Sequence, residues 1–148
     1  MEINEFSGKY YFLSNYFPCN VNYKGLTYKN TEAAFHAQKD LTRSKEFVNL
    51  IPGDAKRLGR SVRLRSDWET VKIDIMTEIV KAKFTQNEDL KQKLLETGDA
   101  ELIEGNTWHD SFWGVYNGYG ENNLGKILMK IRKEFQDEEN LGSNRSAE

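Results

Sequence analysis

One helical pattern, from residue 68 to residue 84, constrains the fold more than any other segment of the chain. Its apolar side chains recur at steps of three and four residues, so they form a stripe along one face of a helix. A helix of this kind is stable in water only when a core covers the stripe. Shorter helical patterns occupy residues 32–39, 90–95 and 124–135, whereas the strand patterns are brief. The sequence therefore predicts an α+β fold, in which a compact, mainly helical single domain carries a few short strands.

Length and charge set the class of protein. The chain has 148 residues, of which 38% are hydrophobic and 30% charged, and this composition fits one domain. We assign residues 1–137 to that domain and expect the polar residues 138–148 to form a disordered tail. The net charge of -2 provides no general attraction to nucleic acid or anionic lipid. No apolar run approaches the roughly 18 residues that span a bilayer, and the first residues lack signal-peptide features, so we expect a cytoplasmic protein without membrane partners.

The supply of reactive side chains restricts the chemistry. Cys19 is the only cysteine, and the chain has two histidines, His36 and His109. An internal disulfide and a zinc site of cysteine and histidine ligands are therefore excluded. We expect no metal and no cofactor, and chemistry that depends on carboxylates, lysines, amides and aromatic rings.

The helical pattern that begins near Thr31 carries the first candidate residues. Glu32, His36 and Lys39 are spaced i, i+4 and i+7 and therefore share one helix face. One interpretation is a solvated face on which Glu32 offsets the helix dipole. The other is a catalytic site, in which an ionised Glu32 in the first turn acts as a base or stabilises a cation.

Lys83 is the second candidate. It follows Val80, Ile79 and Met76 at steps of three, four and seven residues, which places it on the apolar stripe of the longest helix. A desolvated lysine loses its proton more easily and becomes a nucleophile that forms a Schiff base with a carbonyl carbon. Alternatively, the side chain covers the core with its stem and extends its ammonium to water.

A glycine- and tryptophan-rich loop from residue 108 to residue 125 is the third candidate. Glycines allow close approach of a ligand, the start of the following helix can bind phosphate, and tryptophan offers a face for a flat ring. The glycine spacing does not match a dinucleotide-binding fingerprint. A tight turn with core tryptophans explains the same residues.

Two further segments carry groups that suit a nucleotide. Lys56, Arg57, Arg60, Arg63 and Arg65 form the one dense basic stretch, which either binds phosphate or solvates a loop. Ser14 and Asn15 provide hydrogen bonds either to a ribose or base edge or to a turn of their own. Cys19 has no histidine or basic neighbour in sequence, and we interpret it as structural.

Several short blocks occur in an order that resembles the NADAR family of N-glycosidases. They are residues 12–18 (FLSNYFP), 25–28 (GLTY), 31–32 (TE), 35–39 (FHAQK), 58–60 (LGR) with Trp68, 82–84 (AKF), 102–104 (LIE), 110–114 (DSFWG) and 122–129 (NNLGKILM). The resemblance extends over residues 12–132. It implies a mainly helical α+β fold and hydrolysis of a bond between nitrogen and ribose.

The resemblance also implies roles for individual residues. The catalytic set is Glu32, Lys83 and Asp110. Together with the residue patterns above, it predicts a substrate-binding set of Ser14, Asn15, His36, Lys39, Arg60, Trp68, Trp113, Gly114, Gly118, Gly120 and Asn122. Trp68 and Trp113 would stack on the base or sugar, and the turn from residue 118 to residue 125 would hold phosphate. The chain departs from the family at Ala33, where members often have histidine.

The implied substrates are nucleotide sugars. Family members act on phosphoribosylamino-pyrimidine intermediates of riboflavin synthesis or on ADP-ribose attached to guanine in nucleic acid. Two routes remain open: attack by neutral Lys83 through a Schiff base, and direct attack by water with Glu32 as base and Asp110 as acid. The alternative function is a module that binds ADP-ribose or a related nucleotide without catalysis.

Overall fold

The computed structural model describes residues 1–147 and the side chains of residues 1–142. Five α-helices, six short strands and two 3₁₀ helices are assigned in these residues. In chain order they are β1 (Glu2–Ile3), a 3₁₀ helix (Gly8–Leu13), β2 (Val21–Tyr23), β3 (Leu26–Tyr28), α1 (Thr31–Ala37), a 3₁₀ helix (Leu41–Phe47), α2 (Pro52–Gly59), α3 (Trp68–Gln86), α4 (Glu88–Glu96), β4 (Glu101–Leu102), β5 (Gly105–Asn106), β6 (Val115–Tyr116) and α5 (Asn123–Ala147). The predicted helix-rich α+β class is confirmed.

The chain divides into two units by its internal contacts. The central unit is Tyr11–Glu88, and the terminal unit combines Met1–Tyr10 with Asp89–Glu148. The predicted domain boundary at residue 137 and the assignment of one domain stay predictions. None of the helices in the described part of the chain combines the length and apolar character needed to cross a membrane.

In the central unit, an antiparallel hairpin precedes the first helix. β2 pairs with β3 through the register Val21↔Tyr28. Lys24 and Gly25 both have positive φ, at 50° and 84°, which is the backbone conformation of a tight hairpin turn. The aromatic residues before β2 suggest strand, but Gly8–Leu13 is a 3₁₀ helix. Its Phe12 and Leu13 are buried, so burial rather than strand propensity decides this segment.

α3 is the longest element of the central unit, and its apolar stripe is buried as the periodicity predicts. The buried side chains are Trp68, Ile75, Met76, Ile79, Val80, Lys83 and Phe84. Contacts with α1 and β2 cover this face. One lysine therefore belongs to the buried face of a core helix.

The terminal unit contains two parallel strand pairs and α5. β1 pairs with β4, and β5 pairs with β6. Gly98 has a φ of 63° just after α4, which is the left-handed conformation that commonly ends a helix at glycine. α5 packs against β4.

α5 extends further than the sequence analysis expects. The helix continues to Ala147, so residues 138–147 are helical where a disordered tail is expected, and residue 148 lies outside the described residues. A physical reason is that a helix anchored by a buried face extends by one hydrogen bond per residue once it is nucleated. The buried face that anchors α5 includes Leu124, Leu128, Ile131 and Phe135.

Candidate active site

The start of α1 positions Glu32. Asn30 is the N-cap residue, and its side-chain oxygen accepts a hydrogen bond from the Ala33 N–H at 2.7 Å. The Asn30 amide nitrogen donates to the Leu50 carbonyl at 3.0 Å, which fixes the cap itself. Glu32 therefore lies in the first turn of a capped helix, where the helix dipole favours a negative charge.

Glu32 and His36 form a close pair on α1. His36 Nε2 lies 2.7 Å from Glu32 Oε1, and the two side chains are only 8% and 14% exposed, respectively. His36 Nδ1 is buried and has no hydrogen-bond partner among the described residues. A neutral ring with its proton on Nε2 donates to the carboxylate and leaves no unpaired N–H at Nδ1. His36 is thus bound to Glu32, which suits a residue that orients the carboxylate rather than one that binds substrate.

Gly59 provides the space for the His36 ring. A Cβ added at Gly59 would lie 2.6 Å from His36 Nδ1 and 3.0 Å from Cγ. Only glycine at this position leaves the ring where it contacts Glu32. The close approach explains why the last residue of α2 is a glycine.

Lys83 is buried, and its amine contacts two carbonyl oxygens. Nζ lies 2.7 Å from the Phe12 oxygen and 3.0 Å from the Ser14 oxygen. The side chain is 1% exposed, so the amine does not extend to water. Burial lowers the pKa of Lys83 to about 8, while the nearby Cys19 thiol opposes the shift. A neutral amine has two N–H donors, which match the two carbonyls and leave its lone pair for a third direction.

The Glu32 backbone N–H and the Lys83 amine both bind the short segment of residues 14–15. The Glu32 N–H donates to the Asn15 carbonyl at 3.1 Å, and Lys83 donates to the carbonyl of the preceding residue. The Asn15 amide is buried and directed at Met76 Sδ, 3.5 Å away. The Ser14 hydroxyl accepts from the Tyr16 N–H at 3.1 Å, as in a local turn. The side chains of Ser14 and Asn15 are thus engaged within the protein, while their carbonyls anchor both candidate catalytic residues.

Lys39 and Trp68 lie beside this pair. Lys39 Nζ is 5.8 Å from the centre of the Trp68 ring. Burial lowers the pKa of Lys39, the Glu32 carboxylate raises it, and three further cations lower it: Arg60, Lys56 and Lys72. Half-buried Lys39 is therefore in the electrostatic surroundings of Glu32, and exposed Arg60 is in those of Lys39.

The Trp68 ring has a different environment from the one predicted. It is 6% exposed and packs against Phe35 at a centroid distance of 5.0 Å. Most of its surface belongs to the core, because it occupies the first turn of α3 on the buried face. Stacking of Trp68 on a substrate stays a prediction.

Asp110 and Trp113 lie in the terminal unit, in the loop between β5 and β6. Asp110 Oδ1 accepts hydrogen bonds from the Phe112 and Trp113 N–H groups at 3.1 and 2.9 Å. The Asp110 N–H in turn donates to Asn106 Oδ1 at 3.0 Å. This carboxylate fixes the loop and the half-buried Trp113, and a role as a general acid stays a prediction.

The predicted phosphate turn is occupied by internal hydrogen bonds. Buried Asn122 accepts from the Glu104 N–H at 3.0 Å and donates to the Leu102 carbonyl at 2.9 Å. At the start of α5, the N–H groups of Asn123 and Leu124 donate to loop carbonyls at 3.2 and 2.9 Å. These two amides are therefore already paired with protein, and a phosphate site at this turn stays a prediction.

The glycines of this loop have distinct environments. Gly114 is buried, and an added Cβ would collide with the Glu104 carbonyl, so glycine is required for backbone packing there. Gly118 and Gly120 are exposed. Their predicted contacts with substrate stay predictions.

Sequence reasoning missed the carbonyl oxygens of Phe12 and Ser14 as partners of Lys83, because backbone groups carry no signal in residue identity. Its assignment of His36 to the substrate-binding residues stays a prediction. The i, i+4 spacing from Glu32 was the signal that could have identified the pair.

Comparison with known proteins gives a consistent result across sequence and structure. Residues 3–136 match the NADAR domain family. The chain is 37% identical over 128 residues to N-glycosidase YbiA of Escherichia coli strain K12, covering 82% of this chain and 79% of that protein. The NMR structure of Escherichia coli YbiA matches with a TM-score of 0.82 and 34% identity, over 94% of this chain and 86% of that one.

Two further relatives come from other bacteria. An N-glycosidase of Nostoc punctiforme is 38% identical over 133 residues, covering 84% of this chain and 85% of that protein. A riboflavin biosynthesis protein of Vibrio vulnificus is 39% identical over 132 residues, but the chain, 85% of which is matched, spans only 36% of that protein. Because the family match extends over most of the chain and the fold agrees with a solved relative, this chain belongs to the NADAR domain family.

Proposed function

We propose that the chain hydrolyses the bond between the anomeric carbon of a phosphorylated ribose, or of ADP-ribose, and an amino nitrogen of a nucleobase-like ring. The general class, a hydrolase acting on N-glycosyl bonds, agrees with relatives named N-glycosidase that align over most of their length. The choice of ribosyl substrate is the part that we propose.

The observation that carries the proposal is the anchoring of Glu32 and Lys83 on neighbouring peptide units. The backbone N–H of Glu32 and the Lys83 amine, whose pKa is lowered, both bind the same two-residue segment. Cleavage of a glycosylamine needs a nucleophile for the anomeric carbon and a general acid–base group that accepts and donates protons. Glu32 and Lys83 supply these two functions.

The amine suggests a route through a covalent intermediate. Ring opening of the glycosylamine protonates the ring oxygen and produces an imine between the anomeric carbon and the base nitrogen. Neutral Lys83 adds to that carbon, and the base nitrogen takes up a proton and leaves as a free amine. The resulting Lys83 Schiff base then adds water, with Glu32 accepting its proton, and the sugar is released while Lys83 is restored. The net reaction consumes one water molecule.

A rival route needs no covalent bond to the protein. Water activated by Glu32 attacks an oxocarbenium-like carbon directly, and the departing nitrogen takes up a proton as it leaves. In that route Lys83 forms no covalent bond to the substrate and acts only through its hydrogen bonds to the carbonyls of Phe12 and Ser14. Burial of the amine favours the covalent route, since the lowered pKa increases the neutral, nucleophilic fraction of Lys83 near neutral pH.

Product analysis tests the proposed function. The protein is incubated separately with a ribosylamino-pyrimidine 5′-phosphate and with an oligonucleotide that carries ADP-ribose on a guanine amino group. We expect release of free sugar and free amine from at least one substrate, and loss of that release in Glu32→Gln. A wild-type protein that binds a substrate and never releases sugar would instead support a binding module.

A further inference from the structure

The Lys83 amine is enclosed by groups from two parts of the central unit. The carbonyls of Phe12 and Ser14 lie 2.7 and 3.0 Å from Nζ. Two aromatic rings lie beside the amine, with Nζ 5.1 Å from the centre of the Phe84 ring and 5.9 Å from that of the Phe17 ring. Lys83 is only 1% exposed. Attack on a substrate carbon needs an approach to about 3 Å, so one of these groups has to move before the amine can react.

Of the two rings, Phe17 is the one that reaches the surface. Phe84 is 0% exposed on α3, so its displacement would open the core. The two carbonyls are parts of the backbone and move only with their segment. Phe17 is half-buried and lies in a stretch without regular secondary structure, where local opening costs least. Displacement of the Phe17 ring is therefore the least costly way to expose the amine.

A tight turn places the Phe17 ring over the amine. The Phe17 N–H donates to the Ser14 carbonyl at 3.2 Å, so Phe17 and the Lys83 amine share one acceptor. The Phe17 ring also contacts Tyr11 edge-on, with ring centres 5.5 Å apart and planes at 76°. Tyr11 is 40% exposed, and its hydroxyl donates to the Tyr16 carbonyl at 3.3 Å. The ring is thus held by a turn and by a contact with a surface tyrosine.

We propose that Phe17 is the gate of the Lys83 amine: its ring keeps water from Nζ when no substrate is bound and moves aside to admit the anomeric carbon. Phe17 acts through Lys83 and is therefore a positioning residue. The proposal rests on the proposed function, whose covalent route needs a neutral Lys83 that the substrate can reach. Exclusion of water favours the neutral amine, and displacement of the ring brings that amine into contact with the substrate.

Competitive labelling with trace acetic anhydride tests the gate without a substrate, because this reagent acetylates amines only in their neutral form. Mass spectrometry of the digested protein gives the acetylation rate of Lys83 from pH 7 to pH 10, relative to free phenylalanine as a standard. The plateau of the profile measures access to the amine, and the midpoint measures its pKa, about 8 in wild-type protein. The Cys19 thiol also acts on the charge of Lys83, so each profile is repeated in a Cys19→Ser background. Exposed Lys24 should give one rate in all variants.

Phe17→Ala removes the ring that covers the amine. We expect the Lys83 plateau to rise about fivefold, because the amine is no longer covered most of the time, and the midpoint to move to about 9 as water reaches it. Phe17→Leu keeps a smaller apolar cover, so its plateau should rise only about twofold. Tyr16→Ala is the matched control, because it removes a ring that is 38% exposed from the same turn, and its profile should be that of wild-type protein. Denaturant titrations establish that each variant is folded during labelling.

A wild-type profile in Phe17→Ala, or equal changes in Phe17→Ala and Tyr16→Ala, would overturn the gate. If Phe17→Ala does not fold, Phe17→Leu decides, and a Lys83 plateau no higher than that of Tyr16→Ala overturns the gate. If labelling gives these results while the protein still cleaves a ribosylamine, the proposed function stands and only the gate fails. If labelling follows the expectation but no substrate is cleaved, Phe17 still covers the amine and the hydrolase proposal fails.

Discussion

Glu32 and Lys83, which are 51 residues apart in the sequence, are anchored on consecutive carbonyls of the chain. The Glu32 N–H binds the Asn15 carbonyl, and the Lys83 amine binds that of Ser14. A segment without regular secondary structure thus sets the positions of both residues. Any change that moves this segment should shift the Lys83 amine and the Glu32 backbone at the start of α1 together.

Replacement of Glu32 tests its role as the general base. Glu32→Gln keeps the size of the side chain and a hydrogen-bonding oxygen near His36 but removes the base. We expect kcat to fall about 10³-fold with little change in substrate affinity, as is typical for loss of a general acid or base. Single-turnover rates and calorimetry measure the two quantities. Glu69→Gln, on the exposed start of α3, is the control and should keep wild-type kcat.

His36 should act by orienting Glu32. His36→Ala removes the 2.7 Å contact with Glu32, so we expect kcat to fall about tenfold, whereas His36→Gln should restore part of the loss by offering an amide donor. The affinity for substrate should stay near the wild-type value in both variants. Steady-state kinetics, combined with a separate binding measurement, distinguishes an effect on kcat from an effect on substrate affinity.

Gly59→Ala tests the same positioning from the other side. The added methyl group would displace the His36 ring, so its effect on kcat should resemble that of His36→Ala. Wild-type kcat in both Gly59→Ala and His36→Ala would rule out a positioning role for His36.

Burial of Lys83 should also appear in the stability of the protein. As the pH rises from 8 to 9.5, the unfolded lysine largely keeps its proton, since its ordinary pKa is 10.5, while the buried amine, with a pKa of about 8, loses it. The unfolded state then binds more protons, so the free energy of unfolding should rise with pH in this window. Burial also raises the pKa of Tyr23, which would act in the opposite direction above pH 10, so the window ends below that value.

Lys83→Met isolates the contribution of the lysine to this slope. Denaturant titrations at pH 7.5, 8.5 and 9.5 should show a smaller rise in the variant than in wild-type protein. Since the pKa of Lys39 is also lowered, the difference between the two proteins is the informative quantity. Parallel pH dependences in both proteins would contradict a lowered pKa for Lys83.

Asn122 should contribute mainly to stability. Asn122→Ala leaves the Glu104 N–H and the Leu102 carbonyl without their side-chain partner and places alanine at a φ of 53°, so we expect a loss of about 3 kcal/mol in unfolding free energy. Asn117→Ala is the matched control, because exposed Asn117 has a similar φ of 52°. It should lose only about 1 kcal/mol. Equal losses would show that backbone conformation, not hydrogen bonding, determines the cost.

Much of the fold follows from residue patterns, while the fine structure of the site does not. The buried position of Lys83 follows from its spacing to Ile79 and Val80, and the Glu32–His36 pair follows from i, i+4 geometry. The segment before β2 was harder to predict, because its aromatic residues favour strand locally but are buried from a 3₁₀ helix instead. The acceptors of the Lys83 amine are backbone oxygens brought close by tertiary packing, which no local pattern encodes.

Trapping with borohydride during turnover tests the central claim most directly. The protein is mixed with a substrate that it cleaves, reduced with borohydride, digested and examined by mass spectrometry. We predict a sugar adduct on Lys83 in wild-type protein and none in Lys83→Arg, whose guanidinium forms no Schiff base under these conditions. Continued release of sugar with every lysine unmodified would contradict the covalent route and leave direct attack by water as the mechanism.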